Sequence, residues 1–529
     1  MIIRRAYLFD PAWLYLRTTA VTMATVLGAY GWALFVEHEA GLRVDSVVQA
    51  VVVASALGRV QRAFDRTDRL VACAVLPCAA AGGTELSTLI QRHPTAGDAV
   101  FVVGMAGAIW IRRFGTRATR AGTLVVLPLV AVLVVPPGIA PTGGGHEPTG
   151  WAAVTALVAV VWGTALTWTA QRTRFVPTPP PAWVVRPAPA PARKGLPAAT
   201  RMALQMAAAL TAAFVVGRTV WPDHWAWVVL TAFLVCSGAL SRGDVLVKGA
   251  WRTVGAAAGT LVAGAVSGSF GPRSDTAVVV IFAVLAVATW LRELSYAFWA
   301  ACVTAVLSLL YDWFGQSPGD LLDTRLAGIA VGAVIGLAAS WLVLPIRTAA
   351  VARARTAAAL AGLGELLEAD WHDERAVRRA RTRFAHRVDQ LAVSTAPLRM
   401  LAALPLPRRL SARWHPDDTA LRATAALRRC AAPADALAAA VTSASDGLAD
   451  TPDLAGRRSE VAAHALAVRR AIGRRPQPPA TPQQPPEPRT PRPPDPAAQA
   501  ALDALTALDT RLDTLTHLYP PPPTPTPTH

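Results

Sequence analysis

The chain has 529 residues, of which 53% are apolar and only 16% charged, and its formal net charge is +17. That balance is too oily and too sparsely charged for a soluble protein of this length. The basic excess comes with no stacking platform or recognition motif, which argues against nucleic acid; its placement between apolar runs points to a membrane.

The N-terminal MIIRRAYLFDPAWLYLRTT lacks a small-residue cleavage site after a short apolar core, so it reads as the start of a retained helix rather than a signal peptide. Six apolar runs follow, at about 16–36, 44–58, 70–88, 96–111, 121–137 and 151–170. Several fall short of the ~20 residues a bilayer core requires, and 44–58 is the weakest. The loops between them alternate in charge. Arg4, Arg5 and Arg17, then Arg59, Arg62, Arg66 and Arg69, then Arg112, Arg113, Arg117 and Arg120, and finally Arg172 and Arg174 fall on one side. The opposite loops hold Glu37, His38 and Glu39, QRHPTAGD at 91–98, and PPGIAPTGGGHEPTG at 136–150. Positive charge marks the cytoplasmic face, so this first half, 1–175, begins and ends inside.

Residues 176–200, VPTPPPAWVVRPAPAPARKGLPAAT, form an extended Pro/Ala linker on the cytoplasmic side. The second half, 201–345, repeats the scheme with runs at about 202–220, 225–240, 253–270, 276–291, 295–311 and 326–344. Its stretch 218–259 contains the Trp-rich WPDHWAW of a membrane–water interface, an uncharged helix, a basic inner loop with Arg242, Lys248 and Arg252, and the small-residue pattern GAAAG. Six runs are an even number, so the halves share one orientation and form a parallel repeat. The best local echo sets RTDRLVACAV at 66–75 against AWRTVGAAAG at 250–259.

Beyond Pro345 no run is long and uncharged enough to span. Residues 346–473 read as a cytosolic helical domain, with Leu360, Leu363 and Leu367 on one face and Val377, Phe384, Val388 and Leu391 on another. Residues 474–497 are Pro-rich and read as disordered. Residues 498–519 form a short heptad-like helix with Leu505, Leu508, Leu512, Leu515 and Tyr519. Its Asp503, Asp509 and Asp513 suit docking on the basic domain or pairing with a copy of itself, and 520–529 is an unstructured tail.

The WAWVVLTA run at 225–232, the basic stretch to Arg252 and RTVGAAAGTLVAG at 252–264 resemble the fusaric-acid-resistance-type membrane proteins, a family that includes aromatic-acid exporters. The layout of the second half with its C-terminal domain is also similar to plant aluminium-activated malate transporters. The resemblance implies an all-α polytopic protein with about twelve membrane helices in two six-helix halves and a cytosolic helical domain, moving organic anions of the aromatic-acid kind. It departs from the family in having only a Pro-rich linker between the halves.

Each candidate residue carries two readings. Arg252, Arg242 and Lys248 are either anion-attracting charges at an inner mouth or topology anchors that snorkel to lipid phosphates. Arg218, on the side where basic residues are scarce, either receives a departing anion or snorkels at the interface. Asp223 and His224, between Trp221 and Trp225, are a proton relay or simply turn and capping chemistry. Thr231 and Ser237 line a path or hydrogen-bond their own helix. Glu85 and Asp98 are the carboxylates best placed for proton coupling, or else loop-edge residues; Asp45 and Gln49 share those alternatives. Gly255 and Gly259, and Gly328, Gly332 and Gly336, read as packing faces.

HDE at 372–374 lacks further ligands at metal spacing, the five Cys read as packing residues, and there is no Walker loop, dinucleotide fingerprint, HExxH or nucleophile elbow. The expectation is therefore a multi-pass transporter in the bacterial inner membrane, both termini cytoplasmic, exporting small organic anions. It would have no enzymatic activity, cofactor, metal or nucleic-acid partner, and it could self-associate. A gated passive anion channel and a membrane-anchored scaffold are the alternatives.

Overall fold

A computed structural model describes residues 10, 13–40, 44–134, 149–178, 196–266, 271–315, 321–403, 418–443, 451–473 and 496–520. These residues form helices and turns, with no strand among them. They divide into two compact units, one drawn from the described residues up to 346 and one from those after it. Most of the linker between the halves, of the 136–150 loop and of the Pro-rich stretch after 473, and the tail from 521, lie outside the described residues.

The first unit begins with α1 (Leu14–Ala40), α2 (Val44–Val60), α3 (Arg66–Arg92), α4 (Pro94–Trp110), α5 (Thr116–Val134) and α6 (Thr149–Arg172). It continues with α7 (Ala198–Val220), α8 (Trp225–Cys236), α9 (Arg242–Val266), α10 (Asp275–Leu291), α11 (Tyr296–Trp313) and α12 (Leu321–Leu342). Among the described residues eight of these, α1, α3 to α7, α11 and α12, are long and apolar enough to cross a membrane. The chain is a multi-pass membrane protein, and Leu70, Val103, Leu261 and Leu342 are exposed on its apolar surface.

Two boundaries differ from the sequence reading in ways that matter. The basic stretch from Arg242 to Arg252 is not a loop but the first turns of α9. Its start is capped: the Leu240 N–H donates to Asp244 Oδ2 at 2.9 Å and the Val245 N–H to the Ser241 carbonyl at 3.2 Å. A hydropathy window takes four charged residues in eleven for loop, yet on a helix they distribute over different faces. The second shift is at α8, which ends at Cys236, with Ser237 extended and Gly238 at φ +67°. Twelve residues rise only about 18 Å, short of a ~30 Å hydrocarbon core.

The two halves repeat in their packing. In each, the first helix packs on the second and sixth, the third on the fifth and sixth, the second on the sixth and the fourth on the fifth. The halves meet through α4 on α7 and α1 on α10, a pair of contacts that exchange when the halves are interchanged, and through α5 on α8. The Phe101 and Phe214 rings meet edge-on at 5.6 Å in the first contact, Tyr30 and Phe282 at 4.8 Å in the second.

This packing corrects the register of the internal echo. Setting Arg66, which opens α3, on Arg242, which opens α9, brings Asp68 onto Asp244, Leu70 and Val71 onto Leu246 and Val247, and Gly83 and Thr84 onto Gly259 and Thr260. Both aspartates cap their helix, Asp68 by accepting from the Asp65 N–H at 3.0 Å. The alignment of 66–75 with 250–259 is displaced from this register by a little over two turns. In the structural register Leu76, fully buried, occupies the place of Arg252.

Small residues let the second half close tightly. A Cβ on Gly332 of α12 would lie 2.5 Å from the Val228 carbonyl of α8, and one on Gly259 of α9 would run into the Ala301 carbonyl of α11.

The second unit holds α13 (Thr348–Leu367), α14 (Glu374–Ala403), α15 (Asp418–Arg429), α16 (Ala431–Ser443), α17 (Pro452–Ile472) and α18 (Pro496–Leu518). Its core joins Leu360, Leu363 and Leu367 with Phe384, Val388 and Leu391, and adds Leu505, Leu508, Leu512 and Leu515 of α18. The last helix is thus built into the core of this unit rather than left free. Asp509 fixes it to α17, accepting from Arg457 at 2.8 Å and pairing with His464 Nδ1 at 2.7 Å. Burial pushes the Asp509 carboxyl up, but the His464 hydrogen bond and the Arg457 charge together hold it below the usual carboxylate range.

Candidate functional site

Four helices of the second half converge on one small cavity. Trp227, Leu230 and Thr231 reach it from α8, Arg252 from α9, Thr304 and Leu307 from α11, and Arg325 and Ile329 from α12. It lies about 9 Å along α8 from Trp225 and about 15 Å along α9 from Arg242, far from either end of α9. Its volume is about 10 Å³, room for one water-sized body.

Both arginines are buried, Arg252 at 2% exposure and Arg325 at 6%. Among the described residues, neither forms an ion pair with a carboxylate. Arg325 lies over the Trp227 ring at 4.7 Å and the Tyr311 ring at 5.2 Å, and donates to Ser308 Oγ. Trp227 Nε1–H donates in turn to Tyr311 Oη at 3.1 Å, which fixes the indole. Arg252 Nε and Nη1, Arg325 Nε, Thr231 Oγ1 and Thr304 Oγ1 have no hydrogen-bond partner among the described residues. Five donor-bearing atoms around one cavity, with no carboxylate in its lining, form an electropositive donor cage. A buried guanidinium without a counter-charge is destabilising by several kcal/mol, so such a cage calls for an anion.

A second cavity of about 20 Å³ sits beyond the other end of α8, where its helix stops. Gly238, Leu240 and Ser241 line it with Gln205 of α7, Ser340 of α12, and Arg112, which follows α4 in the first half. Arg112 Nε also lacks a partner among the described residues. Non-helical backbone within a membrane unit is tolerated where it lines a cavity, and broken helices mark binding paths in transporters.

The sequence candidates are distributed around these cavities. Arg252 is in the first cavity and does not snorkel: it is wholly buried a little under three turns into α9. Thr231 is there too, and its hydroxyl does not bond its own helix, unlike Thr260, which donates to Ala256 at 2.7 Å. Lys248 donates to the Ser237 carbonyl at 2.6 Å, bracing the broken end of α8, and Arg242 stacks on Trp341 at 4.9 Å.

At the turn end, Arg218 and Asp98 bind each other. Arg218 Nε and Nη2 donate to Asp98 Oδ2 and Oδ1 at 2.5 and 2.7 Å, and the guanidinium covers the Trp225 ring at 4.5 Å. The sequence assigned these two residues to separate tasks, substrate reception and proton coupling; the structure makes them one clasp between the halves. Glu85 accepts from Thr149 Oγ1, tying α3 to α6. His224 stacks on Trp227 at 4.5 Å, and Asp223 precedes it in the turn. Gln49 is half-buried near Gly83; the side chain of Asp45 lies outside the described residues. The described residues contain no cluster of His, Cys, Asp or Glu able to hold a metal.

Arg325, Thr304, Tyr311 and Arg112 were not singled out from the sequence. For Arg325 a signal existed: it follows the acidic loop YDWFGQSPGDLLDT on the side where positive charge is scarce.

Residues 206–339, which span α7 to α12 and hold the donor cage, match a family model described as fusaric acid resistance protein-like. No match was found among curated proteins.

Proposed function

Residues 206–339 are similar to the fusaric acid resistance protein-like family, and from that premise we propose that the chain is a secondary transporter exporting small organic anions across a bacterial inner membrane. The observation that carries this is the donor cage at Arg252 and Arg325, two buried cations with open N–H groups and no carboxylate beside them. Positive-inside bias puts the end of α8 at the cytoplasm and the Trp221–His224 turn outside, with both termini and the second unit cytoplasmic. A cytosolic carboxylate then collects at the cavity lined by Arg112, passes along α8 to the arginine pair, and leaves past Trp227 and the turn. The Trp227 and Tyr311 rings beside Arg325 suit an aromatic acid, whose ring can stack while its carboxylate takes the guanidinium. No catalytic role or cofactor is proposed.

Efflux of a radiolabelled aromatic carboxylate from cells or proteoliposomes tests the proposal. Wild type should export it, and Arg252→Gln and Arg325→Gln should not. Equal export by wild type and both variants would remove the cage from the path, and a steady unitary current in planar bilayers would favour the channel.

A further inference from the structure

With its four helices closed, the donor cage has room for less than an organic acid. Its five unpartnered atoms belong to two guanidinium groups and two hydroxyls, all able to donate. Its space of about 10 Å³ admits a single water-sized body. Water alone leaves both guanidinium charges uncompensated in a low-dielectric interior. A carboxylate-bearing ring needs far more room than this cavity offers with its four helices closed. Of the anions that answer the charge, a monatomic one asks for the least movement of the lining.

We infer that the resting protein holds one halide-class anion between Arg252, Arg325, Thr231 and Thr304, and that the cargo carboxylate displaces it. The inference rests on the reading of the cage as an anion site and adds what occupies it between cargoes. Arg252 Nε and Nη1 and Arg325 Nε donate to the ion, and the two threonine hydroxyls turn toward it. Exchange is then competitive. The halide offsets the charge of both arginines and lets α8, α9, α11 and α12 stay closed. The incoming carboxylate takes over the guanidinium of Arg325 only once these helices part.

The test uses the detergent-purified full chain at constant ionic strength, with gluconate as the bulky reference anion and chloride, bromide and sulfate as probes. Thermal unfolding should shift upward saturably with chloride and bromide and not with sulfate. Bromide quenches indoles on contact, so a saturable component of the tryptophan fluorescence should follow the same curve and vanish in Trp227→Phe. Thr304→Val, which keeps both charges, should weaken the chloride midpoint by about tenfold, the loss expected for one hydrogen bond to an ion. Arg252→Lys should weaken it further, and its retained charge guards against a variant that merely fails to fold.

An equal shift with sulfate would reveal a general salt effect and overturn the inference. So would an absence of any chloride effect on wild type; if Arg252→Gln still abolished export in that case, the transport proposal would stand while the resident halide fell. Loss of chloride dependence in Thr304→Val with export untouched by either arginine would leave a halide site and sink the transport path instead.

Discussion

At the scale of single residues, placement rather than type separates function from scaffolding. Arg252 and Arg218 both looked like candidate anion groups. Arg218 has a bidentate carboxylate partner, and Arg252 has none among the described residues. Asp98→Asn should therefore destabilise the protein, because it leaves a partly buried guanidinium half-paired, and Asp98→Glu should recover part of the loss. Thermal unfolding of the purified protein checks this. Arg252→Gln should instead leave folding largely intact and lower export about ten- to a hundredfold, the loss expected for charge-assisted hydrogen bonds. Cys430 in the second unit gives an independent probe of the fold. Burial pushes its thiol up to about 12, opposed by Arg511, so it should resist maleimide at pH 8 until the unit unfolds. The arginine at 252 was legible as a candidate because it stands beside a membrane run. Arg325 had only its place on the charge-poor side to mark it, since a single charge at the edge of a run looks like loop, and the packing of α12 on α8 is what turns it inward.

At the scale of elements, every helix of the membrane unit could be found from apolar runs, but their limits could not. α9 was shortened because its first turns carry Arg242, Asp244, Lys248 and Arg252, which hydropathy averages into a loop. α8 was lengthened because Ser237 to Leu240 are apolar or small enough to pass as helix, although Gly238 takes a left-handed conformation. The glycine faces were readable from spacing alone. Gly332→Val should force α12 off α8 and destabilise by about 1–3 kcal/mol, whereas Gly31→Ala, with open space around it, should be neutral. Circular-dichroism melts of the two variants decide. Helix α18 offers a pH test. A carboxyl held below its unfolded value stabilises above that value, 3.8 for a free aspartate, and the contribution vanishes as the pH falls through the folded one. The second unit should therefore lose stability as the pH falls below about 4, and Asp509→Asn should flatten that dependence.

At the scale of the whole molecule, duplication has left two halves with one packing scheme and unequal chemistry. The third helix of each half starts with a capping aspartate, yet α3 carries Leu76 where α9 carries Arg252. The first half supplies Arg112 to the lower cavity and the Asp98 clasp, while the donor cage belongs wholly to the second. The sequence showed two halves and their charge alternation, but not this division of labour, because the echo between them is too faint to set a register without coordinates. Reporter fusions near residues 143 and 185 should report opposite sides of the membrane, the first outside and the second inside.

The depth of the arginine pair has an electrical consequence. An anion resting near the middle of the hydrocarbon layer feels part of the transmembrane voltage, and a full crossing is worth about 2.3 kcal/mol per charge for each 100 mV. In an energised cell, negative within, that gradient would push an anionic cargo outward from the cage and resist its return. On the proposed export path, a cell that loses its polarisation should retain more of the acid than an energised one.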